Sequence, residues 1–242
     1  LFISLAILAG ISLSSCNDSF LEKTPVTDLT ENNAFNSYDN FKAFMWPCYE
    51  MFTNNTIRTS LQGFGQDGQY KGDMAAGYFQ QKYESGYNEF AYQTVASVAS
   101  GNGWDFKSFI RRVNIMLSHI DNSSMTEAQK DHWRAVGYFF HSFWYMELID
   151  RFGDVPWVDQ VLQEDSPEAY GPRVDRKTVA DKVLERLQWA EQNIGNFTSQ
   201  DGDNTINQDC VRAVISRFGL REGTWRKYHE LGDAEKYLQE CV

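Results

Sequence analysis

Residues 126–158 read TEAQKDHWRAVGYFFHSFWYMELIDRFGDVPWV, and this stretch decides the fold. It opens with a capping box, because Thr126 is followed three positions later by Gln129, just ahead of an apolar run. Residues on one helical face then recur every three or four positions: Trp133, Val136, Gly137, Phe140, Trp144 and Leu148. The stretch therefore predicts a long, aromatic-rich helix that is packed on several sides.

Two glycines in this stretch have different predicted roles. Gly137 lies inside the buried face, where glycine costs about 1 kcal/mol relative to alanine, so we expect another helix to approach closely there. Gly153 follows the last helical turn near Arg151, and Pro156 comes soon after it, which is a typical helix stop. The sequence predicts that the helix ends near Arg151 in a rigid turn.

The same stretch resembles a known protein family. The resemblance is to the core signature of the SusD/RagB family and lies in these residues: Arg134-Ala135, Tyr138-Phe139, Leu148, Arg151-Phe152-Gly153-Asp154-Val155-Pro156 and Val158. Members of that family are outer-membrane lipoproteins that bind nutrients, mostly glycans, beside a TonB-dependent transporter. The resemblance implies an all-α fold with tetratricopeptide-like helix pairs and long irregular loops. It also implies non-catalytic capture of an oligosaccharide and its delivery to a SusC-like transporter.

Composition narrows the range of partners. The chain has 242 residues, enough to bury a core as one large domain or two small ones. Its net charge is −11 and no basic run occurs, which argues against a nucleic-acid partner because phosphate binding needs clustered Lys and Arg. Aromatic residues make up 15% of the chain, and such rings suit ligands with flat faces, including sugars.

The amino-terminal segment predicts export and lipidation. Residues 1–15 are apolar and uncharged but shorter than the ~20 residues that span a bilayer, so they indicate a signal peptide whose start is missing. Leu13-Ser14-Ser15-Cys16 matches the bacterial lipobox, in which Cys16 becomes lipidated. The alternative is a buried strand with a chance cysteine. Together with this lipobox, the resemblance implies that 16–242 is the amino-terminal helical region of a lipid-anchored, surface-exposed outer-membrane protein.

Three further cysteines are far apart in the sequence, and none forms a CxxC pair: Cys48, Cys210 and Cys241. An odd number gives no disulfide framework. A bridge between Cys210 and Cys241 stays open as an alternative, but the pattern favours three buried free thiols.

The remaining helices follow from the same spacing. One run begins at Asp39, a candidate N-cap, and Pro47 should kink it or end it early. Trp104 is predicted to open the next helix. A third helix is expected from Asp175 to Ile194, followed by a polar loop over 195–206.

The carboxyl-terminal region predicts a further pair of helices. The first begins near Val211 and ends with the segment Glu222–Tyr228, whose pattern EGTWxxY resembles a recurring segment of SusD-like chains. The last runs from Ala234 to Val242 without a cap or a breaker, so the chain looks cut at this end. Helix pairs joined by short loops favour tetratricopeptide-like stacking.

Residues 58–103 differ from the rest of the chain and provide the candidate ligand surface. Eight glycines interrupt this segment, and many aromatic residues lie between them. A long loop within a compact domain is usually functional or disordered, and its aromatic content argues against disorder. The candidate ligand contacts are Tyr70, Tyr83, Tyr87, Tyr92 and Trp104, which would stack on sugar rings, and Asn102, which would bind hydroxyls. The alternative is that many of these rings fill the core.

Motifs for catalysis, metal binding or a cofactor are absent. The four histidines have no metal spacing, and the sequence contains no HExxH, GxSxG or phosphate-binding loop. Glu147 and Asp150 could imitate a glycosidase pair, but charges at a helix end more often pair with a neighbour such as Arg151. Asp154 is expected to cap the glycine–proline turn. We therefore expect a protein that is not an enzyme.

Two alternatives keep other functions open. RagB-like members of the family imply capture of peptides with the same transporter partner. A helical-repeat scaffold on the envelope, without a small ligand, is the alternative from a different class.

Overall fold

The computed structural model describes residues 34–52 and 104–242, and all regular structure in these two ranges is helical. The α-helices are α1 (Tyr38–Met45), α2 (Phe109–His119), α3 (Glu127–Phe152), α4 (Arg176–Asn193), α5 (Thr198–Asp201), α6 (Gln208–Tyr228) and α7 (Ala234–Leu238). Short 3-10 helices span Trp46–Phe52, Pro167–Tyr170 and Gln239–Cys241. Instead of strands, the described ranges contain an isolated antiparallel bridge between Val155 and Val174. The predicted all-α fold is confirmed.

Helix α3 begins and ends as its sequence predicts. The Thr126 hydroxyl accepts the Gln129 N–H at 3.4 Å, and the Gln129 side chain accepts the Thr126 N–H at 3.0 Å, which completes the capping box. The helix ends at Phe152, and Gly153 follows with φ +68°, donating its N–H to Ile149 at 3.0 Å. A positive φ favours glycine, so this position stops the helix.

Gly137 brings α2 against α3, as predicted. A Cβ atom at this position would lie 2.5 Å from Met116 Cε and 3.2 Å from Leu117 Cδ2, both on α2. The absence of a side chain therefore sets the distance between the two helices.

The start of α1 differs from the prediction. Its N-cap is Ser37, whose hydroxyl accepts the Asn40 N–H at 3.4 Å, and the predicted cap Asp39 is an exposed residue of the first turn. The helix starts earlier because Tyr38 is buried and fixes the first turn in the core. Pro47 has its expected effect, since α1 ends at Met45 and a 3-10 helix continues the chain.

The prediction that Trp104 opens a helix is wrong, because α2 begins at Phe109. The Asp105 carboxylate accepts the N–H groups of Lys107 at 2.8 Å and Ser108 at 3.2 Å, which holds the chain in a turn. The Asp105 carbonyl also accepts the indole N–H of Trp144 at 2.7 Å. Trp104 therefore lies in the segment that precedes the helix.

Helix α4 matches its predicted bounds closely. Asp175 caps it by accepting the Thr178 N–H at 2.9 Å, and Ile194 is its C-cap. Its buried face packs along α3 and consists of Val179, Ala180, Val183, Leu184, Leu187 and Ala190.

Two glycines allow α6 and α7 to pack closely. A Cβ atom on Gly219 would lie 2.5 Å from the Tyr237 carbonyl oxygen, and one on Gly223 would lie 2.7 Å from Leu238. The predicted single helix from Ala234 to Val242 is instead α7 followed by a short 3-10 helix.

A buried ionic network joins α4, α6 and α7. Arg226 is fully buried and donates to Glu222 at 2.8 Å, to the Tyr237 hydroxyl at 3.0 Å and to Asp181 at 3.2 Å. Glu222 also accepts a hydrogen bond from Arg176 at 2.6 Å. Two residues of the EGTWxxY segment therefore have structural roles. Glu222 accepts hydrogen bonds from Arg226 and Arg176, and Gly223 leaves space for Leu238 of α7.

The predicted polar loop over 195–206 contains the short helix α5, which is tied to α1. The Asp201 carboxylate is 4% exposed and accepts the Tyr38 hydroxyl, with Lys42 at 3.3 Å and His132 at 3.5 Å. The loop is therefore anchored by buried polar contacts that hydropathy alone does not reveal.

Successive helices pack as neighbours, with α2 on α3, α3 on α4, α4 on α6 and α6 on α7. This is the predicted tetratricopeptide-like arrangement of helix pairs. Cys48, Cys210 and Cys241 are free thiols, so the open alternative of a Cys210–Cys241 bridge is not adopted, but only Cys48 is fully buried and the other two are half-buried, unlike the expected three buried thiols. None of the helices in the described ranges combines the length and the apolar character that a membrane span requires.

Candidate functional site

The turn that follows α3 is held rigidly against the start of α4. Val155 and Val174 exchange both backbone hydrogen bonds, at 3.1 and 2.9 Å. The Asp154 carboxylate accepts the N–H of Arg176, the first residue of α4, at 2.8 Å. The carboxylate of Asp154 thus bonds the first turn of α4, beside its N-cap Asp175, and not the backbone of its own glycine–proline turn.

Polar side chains from α2 and α3 then fix the segment 156–160. The Tyr145 hydroxyl donates to the Pro156 carbonyl at 2.9 Å and accepts the Val158 N–H at 2.7 Å. His141 Nε2 bonds the Val158 carbonyl at 2.9 Å. Asn114 donates to the carbonyls of Val158 at 3.1 Å and Gln160 at 3.0 Å. Trp157 lies within this segment, so its position is set by buried groups.

His141 serves as a neutral hydrogen-bond donor in this arrangement. Its ring is fully buried, which places the pKa of His141 well below the usual 6.5, and the nearby positive charge of Arg186 lowers it further. The carbonyl of Val158 can only accept, so Nε2 carries the proton. This histidine is a positioning group for the turn.

An open cleft of about 240 Å³ lies between the end of this turn and the outer face of α4. We call it the Trp157 cleft. It is lined by three aromatic rings, three charged residues of α4 and one further carboxylate from the turn segment: Tyr138, Trp157, Trp189, Lys182, Glu185, Arg186 and Asp159. All three rings are half-buried, so each presents part of its surface to solvent.

The aromatic rings of the cleft are held by contacts behind them. Trp157 packs on Tyr145 with ring centroids 4.5 Å apart and on His141 at 5.0 Å, and its indole N–H donates to Asp159 at 2.9 Å. Tyr138 meets Trp189 edge-to-face at 5.2 Å. The cleft is a preformed aromatic surface.

Two cations lie against these rings. The Arg186 guanidinium lies 4.8 Å from the Tyr138 ring centre and 4.9 Å from that of Trp157, and Lys182 Nζ lies 5.3 Å from the Trp157 ring. Burial lowers the pKa of Arg186, but a guanidinium remains charged in proteins. Its nearest carboxylate is Asp159, at 3.7 Å. The cleft can therefore offer both ring faces and positive charge to a ligand.

Of the predicted ligand contacts, Trp104 is the one within the described residues. It is half-buried and packs edge-to-face on Phe106 at 5.2 Å and on Phe152 at 5.0 Å, with the Arg173 guanidinium 4.8 Å from its ring centre. Phe106 in turn contacts Tyr145 at 6.3 Å. Ring contacts therefore connect Trp104 to the Trp157 cleft. The other candidates lie outside the described residues: Tyr70, Tyr83, Tyr87, Tyr92, Asn102 and the predicted lipidation site Cys16.

The cleft residues are absent from the sequence-based prediction, although one signal for them exists. Lys182, Arg186 and Trp189 are spaced by four and three positions, which places them on one face of α4. Nothing in that spacing shows that Trp157 and Tyr138 lie opposite this face, because Tyr138 reaches it through the packing of α3 on α4 and Trp157 through the turn after α3.

Arginine side chains lie beside the acidic pair near the end of α3. Asp150 lies 2.5 Å from Arg221 and 3.7 Å from Arg176, and Glu147 lies 4.0 Å from Arg221. Burial raises the pKa of Glu147 to about 7, with a contribution from Asp150 that Arg221 opposes. Within the described ranges, no cluster of His, Cys, Asp and Glu side chains is suited to holding a metal ion.

Comparison with known proteins gives a consistent family and fold. Residues 19–220 match the sequence model of the SusD-like family described as starch-binding and associating with the outer membrane. No curated protein shows a significant sequence match.

Several solved structures share the fold. A SusD homologue from Bacteroides thetaiotaomicron superposes with a TM-score of 0.62 at 16% identity, covering 89% of this chain and 42% of its own length. A SusD-like protein from Bacteroides fragilis gives 0.60 at 18% identity, covering 90% and 40%. A laminarin-binding SusD-like protein gives 0.58 at 17% identity, covering 85% and 43%. The chain thus spans about two fifths of the length of these structures.

Proposed function

This chain belongs to the SusD-like family, and we propose from that premise that it binds oligosaccharides at the cell surface without cleaving them. The bound glycan is then passed to a SusC-like TonB-dependent transporter in the outer membrane. The observation that carries the proposal is the match of residues 19–220 to this family, which is described as starch-binding. A structural neighbour described as laminarin-binding supports the same ligand class.

The proposed ligand surface is the aromatic segment that leads up to α2. Tyr70, Tyr83, Tyr87, Tyr92 and Trp104 would provide stacking surfaces for sugar rings, and Asn102 would bind hydroxyl groups. Trp104 supports this placement because its ring is half-buried and backed by Phe106 and Phe152. The Trp104 ring is held in place before a ligand arrives, which lowers the entropy cost of binding.

We also propose that residues 1–15 are a signal peptide and that Cys16 carries the lipid. The mature lipoprotein would then be anchored by two or more acyl chains, which is enough for stable attachment. Replacing Cys16 with serine should move the protein from the membrane fraction to the soluble fraction. Retention of the Cys16→Ser variant in the membrane would contradict the lipid anchor.

Calorimetry on the mature, non-lipidated protein that begins after Cys16 tests the ligand. We would titrate it with neutral plant, host and microbial glycans and with a panel of peptides. Binding of one glycan class, weakened about tenfold or more in Tyr87→Ala or Tyr92→Ala, is the expected result. Tyr228→Ala is the matched control, because Tyr228 is a highly exposed tyrosine on α6.

The alternatives predict different outcomes. A response to peptides with silence on glycans would replace the ligand with a peptide, as in RagB-like proteins. Silence on both panels would leave an envelope scaffold without a small ligand. Release of shortened glycan products during the titration would revive an enzymatic function.

The transporter is tested separately, by affinity purification of the lipidated protein from outer membranes. Co-purification of a TonB-dependent transporter is expected. Its absence under conditions that preserve membrane complexes would remove this partner from the proposal.

A further inference from the structure

Polar groups in the Trp157 cleft lack partners in the part of the chain that the structure describes. The Tyr138 hydroxyl, the Trp189 indole N–H and Lys182 Nζ form no hydrogen bond or ion pair with any described residue, and none of these atoms is buried from solvent. By contrast, the polar atoms of Tyr145 and Trp144 bond to backbone groups. The cleft therefore combines ring faces with donors that a ligand can use.

The charges of the cleft are incompletely paired. Asp159 is shared between the Trp157 indole N–H at 2.9 Å and Arg186 at 3.7 Å, so its charge is already engaged. Lys182 has no ion pair within the described residues, even though Glu185 lies three positions away on the same helix. The Lys182 ammonium is thus an available cation above the Trp157 ring, on a chain whose net charge is −11.

From this arrangement we propose that the Trp157 cleft binds a sugar that carries a carboxylate, such as a hexuronate unit of an acidic oligosaccharide. The sugar ring would contact the exposed surfaces of Trp157 and Trp189, and the carboxylate would pair with Lys182. The Tyr138 hydroxyl and the Trp189 N–H would serve the sugar hydroxyls. This inference rests on the proposed capture of carbohydrate and specifies a ligand class for it.

A purely structural role for the same side chains makes a different prediction. Lys182 and Arg186 stack on aromatic rings, and such contacts stabilise helix packing by themselves. If packing were their whole role, substitutions would change the unfolding midpoint and leave affinity for acidic glycans unchanged. The test therefore measures both quantities on each variant.

The ligand test compares an acid with its own ester. Short oligomers of galacturonic acid and of mannuronic acid are titrated into the mature, non-lipidated protein, alongside the same oligomers with methyl-esterified carboxylates. Esterification removes the charge and keeps the ring, so it should weaken binding about tenfold or more. Added salt should also weaken binding of the acids more than binding of the esters.

The variants locate the site. Lys182→Met removes the charge but keeps the apolar stem, and Trp189→Leu removes the ring but keeps an apolar side chain; each should weaken binding of the acids about tenfold. Glu185→Gln removes a negative charge at the rim of the cleft, where it would repel the ligand carboxylate, so this variant should bind the acids more tightly. Lys177→Met on the same helix is the control, because Lys177 pairs with Asp233 at 2.8 Å and does not line the cleft.

The outcomes separate this inference from the proposed function. Equal affinity for acid and ester, no binding of the acids, or unchanged affinity in Lys182→Met and Trp189→Leu would each overturn the acidic-sugar site. Binding of acidic peptides in place of the acidic sugars would overturn it as well. If neutral glycans still bind and depend on Tyr87 or Tyr92, the proposed function survives that failure. Silence on all glycans, neutral and acidic, defeats both.

Discussion

The hydroxyl of Tyr145 holds both sides of the turn after α3, and its removal provides a residue-scale prediction. In Tyr145→Phe the Pro156 carbonyl and the Val158 N–H lose bonds of 2.9 and 2.7 Å in a region closed to most solvent. Unsatisfied buried groups of this kind cost about 1–3 kcal/mol. We expect a loss of that size in the free energy of unfolding, measured by urea denaturation.

Tyr138→Phe is the matched control for this change. Tyr138 is also on α3, but its hydroxyl has no hydrogen-bond partner among the described residues. Its replacement should change the free energy of unfolding by less than about 0.5 kcal/mol. Equal losses in the two variants would show that the Tyr145 hydroxyl does not hold the turn.

Two helical glycines with similar close contacts should respond differently to alanine. At Gly137 the closest atom is the flexible end of Met116, so a gain of about 1 kcal/mol in helix propensity roughly cancels the repacking of that side chain. At Gly219 the closest atom is the Tyr237 carbonyl oxygen, which belongs to the backbone. We expect Gly219→Ala to destabilise the protein by about 1–3 kcal/mol and Gly137→Ala by clearly less.

Urea denaturation of both variants in parallel checks this prediction. Both substitutions are the same chemical change within a helix, so the difference between their losses of unfolding free energy reports how well the neighbouring atom can move aside. A larger loss for Gly137→Ala than for Gly219→Ala would contradict the argument.

At the scale of elements, local signals predicted helix ends well where the cap residues are part of the sequence pattern. The capping box at Thr126, the stop at Gly153 and the cap at Asp175 are all found in the structure. The start of α2 could not be predicted in this way. Trp104 is spaced from the following core residues as if it were part of the helix, although the helix begins at Phe109. Its position depends on Asp105, whose backbone is held by Trp144 from another helix.

The network around Arg226 gives an element-scale prediction, because it links three helices. Arg226→Met leaves the buried Glu222 with Arg176 alone and leaves Asp181 and Tyr237 without the guanidinium. Breaking one partner of a buried ion pair costs about 3–5 kcal/mol, so the unfolding free energy should fall by roughly that amount.

Arg212→Met on the same helix is the control. Arg212 pairs with Glu191 at 2.9 Å, but its side chain is 56% exposed, and exposed pairs contribute about 0–1 kcal/mol. Chemical denaturation of the two variants measures the contrast. Similar small losses for both would mean that the buried network adds little to the packing of α4, α6 and α7.

At the scale of the whole molecule, the family was recognisable from sequence, whereas the Trp157 cleft was not. The RFGDVP turn combines a helix stop, a hydrogen bond to the first turn of α4 and a backbone bridge, so several of its residues have structural roles. Contacts with a ligand obey no such local rule. Trp157 and Trp189 lie in one cleft only because the turn after α3 packs against α4. This tertiary contact cannot be read from a local sequence pattern.

Stability should depend on pH through two buried groups, His141 and Glu147, whose effects on the free energy of unfolding have opposite signs as pH rises. Burial lowers the pKa of His141, so below its ordinary value of 6.5 the unfolded chain binds the proton better, and stability rises as pH increases towards neutrality. Glu147 acts in the other direction. Its pKa rises from 4.5 to about 7 on folding, so the native state holds a proton that the unfolded chain has released.

Glu147→Gln isolates the second effect, because glutamine does not titrate and has nearly the same shape. Between about pH 4.5 and pH 7 the stability that Glu147 contributes falls as pH rises, since ionising it in place means charging a buried carboxyl. The variant should therefore match the wild type near pH 4, become more stable than it as pH rises, and keep a constant advantage above about pH 7. Thermal unfolding across this range measures the difference, in which the contribution of His141 cancels. A difference that does not change with pH would mean that the carboxylate is already ionised in the folded protein, held by Arg221 at 4.0 Å against the cost of burial.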